Sequence, residues 1–140
     1  MDILKSVGAA VAALFDCNIA VYTEAVAAEC AVPAFFVRET EHFCERSVGN
    51  RFFHKSRLCV TYYPENKYNK RTECEKIAKT LFVGLEFVNS DEGILHGIEK
   101  HYEIKDGVMR FYLGFDYFMI CDEEQFVMEK MTYNGSNISR

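Results

Sequence analysis

Between residues 3 and 15 the apolar positions fall three and four apart, at Ile3, Leu4, Val7, Val11, Leu14 and Phe15. That spacing predicts an amphipathic helix, with Asp2 as its N-cap. The rest of its surface is small (Gly8, Ala9, Ala10, Ala12, Ala13), which suits helix propensity or close packing on a sheet or a neighbouring subunit. The period then changes to two. NIAVYTE (18–24) reads as a short strand, and a longer one follows Pro33 in AVPAFFVRETEHFCER. The stretch SVGNRFFHKSRLCVTYYP (47–64) alternates from Arg57 onward, with Leu58, Val60 and Tyr62 on one side and Arg57, Cys59 and Thr61 on the other. Pro64 ends it, and ENKYNKR (65–71) reads as a polar loop.

The helical period returns over 72–87, where Cys74, Ile77, Ala78, Leu81, Phe82 and Leu85 form one stripe. Glu75 and Lys79 are spaced as an i,i+4 ion pair on its outer side. Further on, Asp106-Gly107 sits between two alternating segments and predicts a two-residue hairpin turn. That closure pairs Ile104 with Met109, Tyr102 with Phe111, Ile98 with Phe115 and Ile94 with Met119. One face is then apolar from Met109 to Cys121, and Glu103 meets Arg110 on the other. The order helix, three strands, helix, two strands predicts an α+β fold, an antiparallel-rich sheet with two helices packed on one face. Residues 1–121 read as a single domain and 122–140 as a C-terminal arm, whose Phe126, Val127 and Met128 suit ordering on a neighbour.

Composition narrows the function. A net charge of −5 argues against a protein that neutralises many phosphates, and no specific nucleic-acid binding is expected. No apolar run is long enough to span a bilayer, and the acid at Asp2 is unlike a secretory leader. Six cysteines stand no closer than thirteen residues, so no CxxC pair exists, and the four histidines form no HxxxH or HExxH pattern. Reduced thiols in an intracellular protein are expected, with no metal and no cofactor. No nucleophile elbow or phosphate loop is present, so no catalytic residue is assigned. Glu39 and Glu41 share a face of a regular strand, as paired or simply solvated carboxylates. The loop cations Lys67, Lys70 and Arg71, with Tyr68 between them, suit an acidic protein surface or a phosphate.

The segments VYTE, PAFFV, GNRFFHKSRLCVTYYP, KIAKTLFVGLEF and EIKDGVMRFYLGFDYF, in this order, resemble the tail terminator family of long-tailed phages and of phage-tail-like bacteriocins of Gram-positive bacteria. The resemblance covers about residues 3–121, and Gly49–Phe53 with Tyr62–Pro64 are its most specific parts. It implies a structural virion or tailocin protein, not an enzyme. The expected product is a homo-oligomeric ring, a hexamer, that caps the tail tube at the head-proximal end and stops its growth. Its expected partners are the tube protein, the sheath protein in a contractile tail, and neck or connector proteins in a phage. Assembly is expected in the bacterial host cytoplasm. The alternatives are a head–tail connector or neck adaptor and, from a different class, a small hydrolase or thiol enzyme built on a clustered Cys–His pair.

If 34–45 and 51–63 form one long hairpin, its base pairs Phe35 and Val37 with Val60 and Leu58. Its distal half is polar on both faces and should leave the core. The tip would then expose an apolar patch, the signature of an interface. The competing reading folds the tip back onto the subunit's own helix. The candidate interface residues are Phe43, Val48, Asn50, Arg51, Phe52, Phe53, Lys67, Lys70, Arg71, Phe126 and Met128.

Overall fold

Asp2 opens the first helix as predicted, accepting the Lys5 N–H at 3.2 Å, and α1 runs Ile3–Leu14. The computed structural model describes residues 2–16, 18–23, 32–65 and 68–120. After α1 come β1 (Ala20–Tyr22), β2 (Ala34–Arg46), β3 (Arg51–Tyr63), α2 (Lys70–Gly84), β4 (Phe87–Ser90), β5 (Gly93–His96), β6 (Ile98–Lys105) and β7 (Val108–Ile120). Five strands make one sheet in the order β1-β2-β3-β7-β6, and β4 and β5 make a separate hairpin. Only β1–β2 is parallel. The fold is α+β, with an antiparallel-rich sheet.

Both helices cover the same, inner face. Val7 and Val11 of α1 and Cys74, Ala78 and Leu81 of α2 are fully buried against Phe35, Val37, Leu58, Val60, Met109, Phe111 and Phe115. Each buried large side chain there contributes about 1.5–3 kcal/mol. The stripe predicted for the second helix is the one buried, but the helix is shifted: it starts at Lys70 and ends at Gly84. Lys70 and Arg71 therefore open α2 instead of lying in a loop. Glu75 pairs with Arg71 at 3.5 Å, one turn back from the expected Lys79. Phe87, expected at the helix end, begins β4.

The hairpin at Asp106-Gly107 has the predicted register near its turn: Ile104 opposes Met109, Glu103 opposes Arg110 and Tyr102 opposes Phe111. Further from the turn it departs. An irregularity between Ile98 and His101, with Glu99 at φ 54°, sets Ile98 opposite Gly114 instead of Phe115. Ile94 pairs with Asn89, not Met119, because β5 has left the sheet for β4. Gly97 permits the departure. A Cβ there would lie 2.3 Å from the Leu85 carbonyl oxygen, and the Gly97 N–H bonds to the Glu86 carbonyl at 2.9 Å.

The β2–β3 hairpin is real, but its base is shifted by two residues: Phe35 opposes Tyr62 and Val37 opposes Val60. A two-residue shift leaves every side chain on its face, so the hydrophobic pattern alone could not exclude it. A bulge at Thr40 then changes the faces. Glu39 opposes Leu58 but Glu41 opposes Arg57, so the two carboxylates expected on one face lie on opposite faces. Throughout its length β3 also pairs with β7, from Tyr62–Met109 to Arg51–Ile120. The protrusion is therefore a three-stranded blade.

Candidate functional site

The blade's polar half begins where the helices stop covering the sheet, and from Arg38 to Arg46 β2 is exposed except for Glu39. At the tip, the Ser47 N–H bonds to the Arg51 carbonyl at 2.7 Å and the Arg46 guanidinium to the Gly49 carbonyl at 2.8 Å. Gly49 takes φ 63° there, a left-handed value that glycine adopts freely. This turn leaves Val48 80% exposed. On the outer face, away from the helices, Phe53 packs on Phe118 with ring centroids 5.0 Å apart. The Arg51 guanidinium lies 3.9 Å above the Phe118 ring, and Lys55 lies 5.9 Å from that of Phe43. Beside them Glu45, Arg46, Ser47, Phe53 and Phe118 line an open depression of about 370 Å³.

The structure brings Phe43, Val48, Asn50, Arg51, Phe52 and Phe53 together at this end. Phe52 and Phe53 lie on opposite faces and are half-buried, Phe52 opposite Met119 and Phe53 against Phe118. They are thus less exposed than Phe43 (46%), Phe118 (47%) or Ile120 (69%). Sequence reasoning does not single out the last two: it pairs their strand with the segment from Ile94 to Ile104 alone, whereas the structure lays it along β3 to the tip. Lys70 and Arg71 are not part of this cluster. They sit at the other end of the sheet, Lys70 beside Gly107 of the β6–β7 turn. A 13-residue strand, β3, separates the groups, a span of roughly 40 Å. Lys67, Phe126 and Met128 lie outside the described residues, as does the segment read as an arm.

At the blade's root, on the outer face, Arg57 crosses directly over Gly114. It pairs with Asp116 at 3.0 Å and Glu99 at 3.2 Å, linking β3, β7 and β6. At the other end, Glu73 accepts the Tyr62 hydroxyl at 2.6 Å and the Glu65 N–H at 3.2 Å, tying β3 to α2. Burial, reinforced by this carboxylate, raises the Tyr62 phenol well above its usual range.

On the inner face beyond the core lies a polar chain that no sequence motif announced. Glu39 bonds to His42 Nδ1 at 2.6 Å and to the Ser56 hydroxyl. His42 Nε2 meets His54 Nδ1 at 3.0 Å, and His54 Nε2 lies 3.7 Å from Cys44 Sγ. Tyr117 stacks on the His54 ring, centroids 5.1 Å apart. Burial and then the neighbouring His42 lower the His54 pKa, with Glu39 opposing. The bulge at Thr40 brings these residues to one face. The thiol-enzyme alternative required a clustered Cys–His pair; this one lies on exposed strand, at Cys44, outside the tip depression. Among the described residues, no group of His, Cys, Asp and Glu is arranged to hold a metal ion, and no helix is long and apolar enough to cross a membrane.

The sequence model of a family described as phage tail terminator protein matches residues 2–126. The chain belongs to the phage tail terminator family. A search of curated proteins finds no match. Family membership gives the protein a tail terminator role, a location in the phage tail and association with tail components. The structural character of the tail terminator family suggests a non-enzymatic role.

Proposed function

We propose that this tail terminator assembles into a closed ring, six copies on the pattern implied by the resemblance, on top of the finished tail tube. There it stops tube polymerisation at the head-proximal end, after assembly in the host cytoplasm. The tip residues Phe43, Val48, Asn50, Arg51, Phe52 and Phe53 contact a neighbouring subunit or the tube. Lys70 and Arg71, at the far end of the sheet, face a different partner: a neck protein, or the last sheath ring of a contractile tail. Lys67 joins that second group, and Phe126 and Met128 belong to an arm that docks on a neighbour. The observation that carries this reading is the three-stranded blade, whose exposed apolar side chains gather beyond the helices in a chain of this family. Exposed apolar side chains concentrated in one region mark an interface.

The test is a particle carrying Phe43→Ser with Val48→Ser. Both side chains are largely exposed, so the isolated subunit should melt within about 2 °C of wild type. Tails should lose their uniform length in electron micrographs, and tail ends should lack the cap. Uniform, capped tails would refute the assignment of the tip. Labelled protein found between head and cap, with the cap intact, would identify a connector instead.

A further inference from the structure

The bulge at Thr40 moves His42 and Cys44 onto the inner face, where Cys44 lies directly across from His54 and His42 across from Ser56. The Glu39 carboxylate, the two imidazoles and the Cys44 thiol then stand in line. With both rings neutral, one arrangement of protons satisfies every contact along it. The carboxylate can only accept, so His42 Nδ1 donates to it at 2.6 Å and His42 Nε2 is left as an acceptor. His54 Nδ1 donates to that nitrogen at 3.0 Å, and His54 Nε2 accepts from the Cys44 thiol at 3.7 Å. The order is that of an activated thiol: nucleophile, base, and a group that orients the base. The fully buried Ser56 hydroxyl donates to the same carboxylate, and Tyr117 stacks on His54 with an interplanar angle of 3°, so the carboxylate and the second ring are both held in place.

We propose that Cys44 is a site of thiol–disulfide exchange, activated by the His54–His42–Glu39 line, and that its reaction partner is a low-molecular-weight disulfide. The thiol proton passes to His54 Nε2 while the Nδ1 proton of His54 passes to His42 Nε2. The positive charge then rests on His42, 2.6 Å from the Glu39 carboxylate, and neutral His54 donates its Nε2–H to the thiolate. The lowered proton affinity of His54 agrees with that end point: burial and then the neighbouring His42 disfavour a cation there, with Glu39 opposing and the charge of the chain's amino terminus adding to the push. Two further groups share this face. Arg46 on β2, its guanidinium held by the Gly49 carbonyl, brings a positive charge that favours the thiolate. Burial raises the Tyr117 phenol on β7, which therefore stays neutral. The Glu39 carboxylate, which would oppose a thiolate, stands two imidazole rings away from the sulfur.

The thiolate attacks one sulfur of the disulfide R–S–S–R. The S–S bond breaks as the bond from Cys44 forms, and the departing thiolate takes up the proton held on the line, leaving as R–SH. Cys44 is oxidised to a mixed disulfide and one half of the partner is reduced, so the step needs no further reagent. Cys44 lies on exposed strand outside the tip depression, which suits stoichiometric exchange with a small disulfide and not turnover of a bound substrate. The site stands independently of the ring reading.

The pH profile of the exchange tests this. Full-length protein, native or unfolded in urea, is incubated with hydroxyethyl disulfide, an uncharged probe, from about pH 5 to 9.5 and quenched with acid. Tryptic cleavage after Arg38 and Arg46 releases residues 39–46, whose one cysteine is Cys44, and mass spectrometry reads the adduct on that peptide. The midpoint of the native profile should lie about one pH unit or more below that of the unfolded chain. His54→Gln should return the midpoint to the unfolded value. His42→Gln, at an exposed position, should move it part of the way, and it decides alone if His54→Gln does not fold. Circular dichroism spectra should match wild type in the variants compared. A native midpoint at or above the unfolded one, or no adduct at Cys44 in native protein, would overturn the proposal. So would a midpoint unmoved by His42→Gln, or by a folded His54→Gln protein, because the thiol would then react without the line behind it.

Discussion

Replacing Gly114 by alanine should destabilise the fold through a side chain on another strand. A Cβ at 114 would lie 2.6 Å from Arg57 Nη1 and 2.8 Å from its Cδ. The three atoms nearest that Cβ all belong to the Arg57 side chain, so Arg57 must swing away. It then loses Asp116 at 3.0 Å, Glu99 at 3.2 Å and the Ser56 carbonyl at 3.2 Å. The partners are partly exposed, which limits each ion pair to about 0.5–1 kcal/mol. With the backbone hydrogen bond the loss is about 1.5–2 kcal/mol. Alanine in a strand recovers about 0.5 kcal/mol of backbone entropy relative to glycine. The net cost is about 1–1.5 kcal/mol, a fall in Tm of roughly 3–6 °C for a chain of this size. Removing Arg57 first should reverse the sign. In an Arg57→Ala background the same Gly114→Ala change meets none of these atoms and should stabilise by about 0.5 kcal/mol, a coupling near 2 kcal/mol in a double-mutant cycle. Urea unfolding of the four proteins measures it. An equal loss in both backgrounds would refute the mechanism.

The remaining predictions use the titratable groups and thiols. Because the folded His54 pKa lies below its ordinary value of 6.5, the unfolded chain binds more protons below that pH, and stability should fall as pH drops from about 7 toward 5. Urea midpoints should show a smaller fall for His54→Phe, and an identical slope would sink the assignment. Tyr62 is raised above its ordinary value of 10.0, so its contribution is present below pH 10 and declines as pH rises beyond it. Glu73→Gln should move one phenol back toward pH 10 in an ultraviolet titration and cost about 1–2 kcal/mol; an unmoved titration would show that burial alone sets the shift. Among the described cysteines, Cys44 is exposed and Cys59 and Cys74 are buried. Iodoacetamide should therefore modify Cys44 in the native protein and the other two only after unfolding, when mass spectrometry should count six alkylated thiols in unreduced protein.

Features set by near neighbours were legible in the sequence. Asp2 caps α1 three residues away, and the stripe from Cys74 to Leu85 repeats every turn of α2. Asp106-Gly107 closes a two-residue turn, which fixes the register of the pairs beside it without reference to the rest of the fold. The family, too, could be recognised from segments that keep their order along the chain. What the sequence left open depends on contacts between distant segments. A strand's pattern repeats every two residues, so it names the buried face but not the partner, and the β2–β3 base could shift by two residues without moving a side chain to the wrong side. The bulge at Thr40 has no period at all. It separates Glu39 from Glu41 and brings His42 to His54, because one extra residue is absorbed where β2 passes from the helix-covered sheet to the open blade. Nor could spacing show that β7 accompanies β3 to the tip while β6 stops at Gly114. That is decided by Gly97 lying against the Leu85 carbonyl and by Arg57 lying over Gly114, contacts that exist only once helix and sheet have packed. The chain determines its elements and their buried faces through short-range chemistry, and packing between distant segments decides which strands pair, in which register, and which of them run on to the tip.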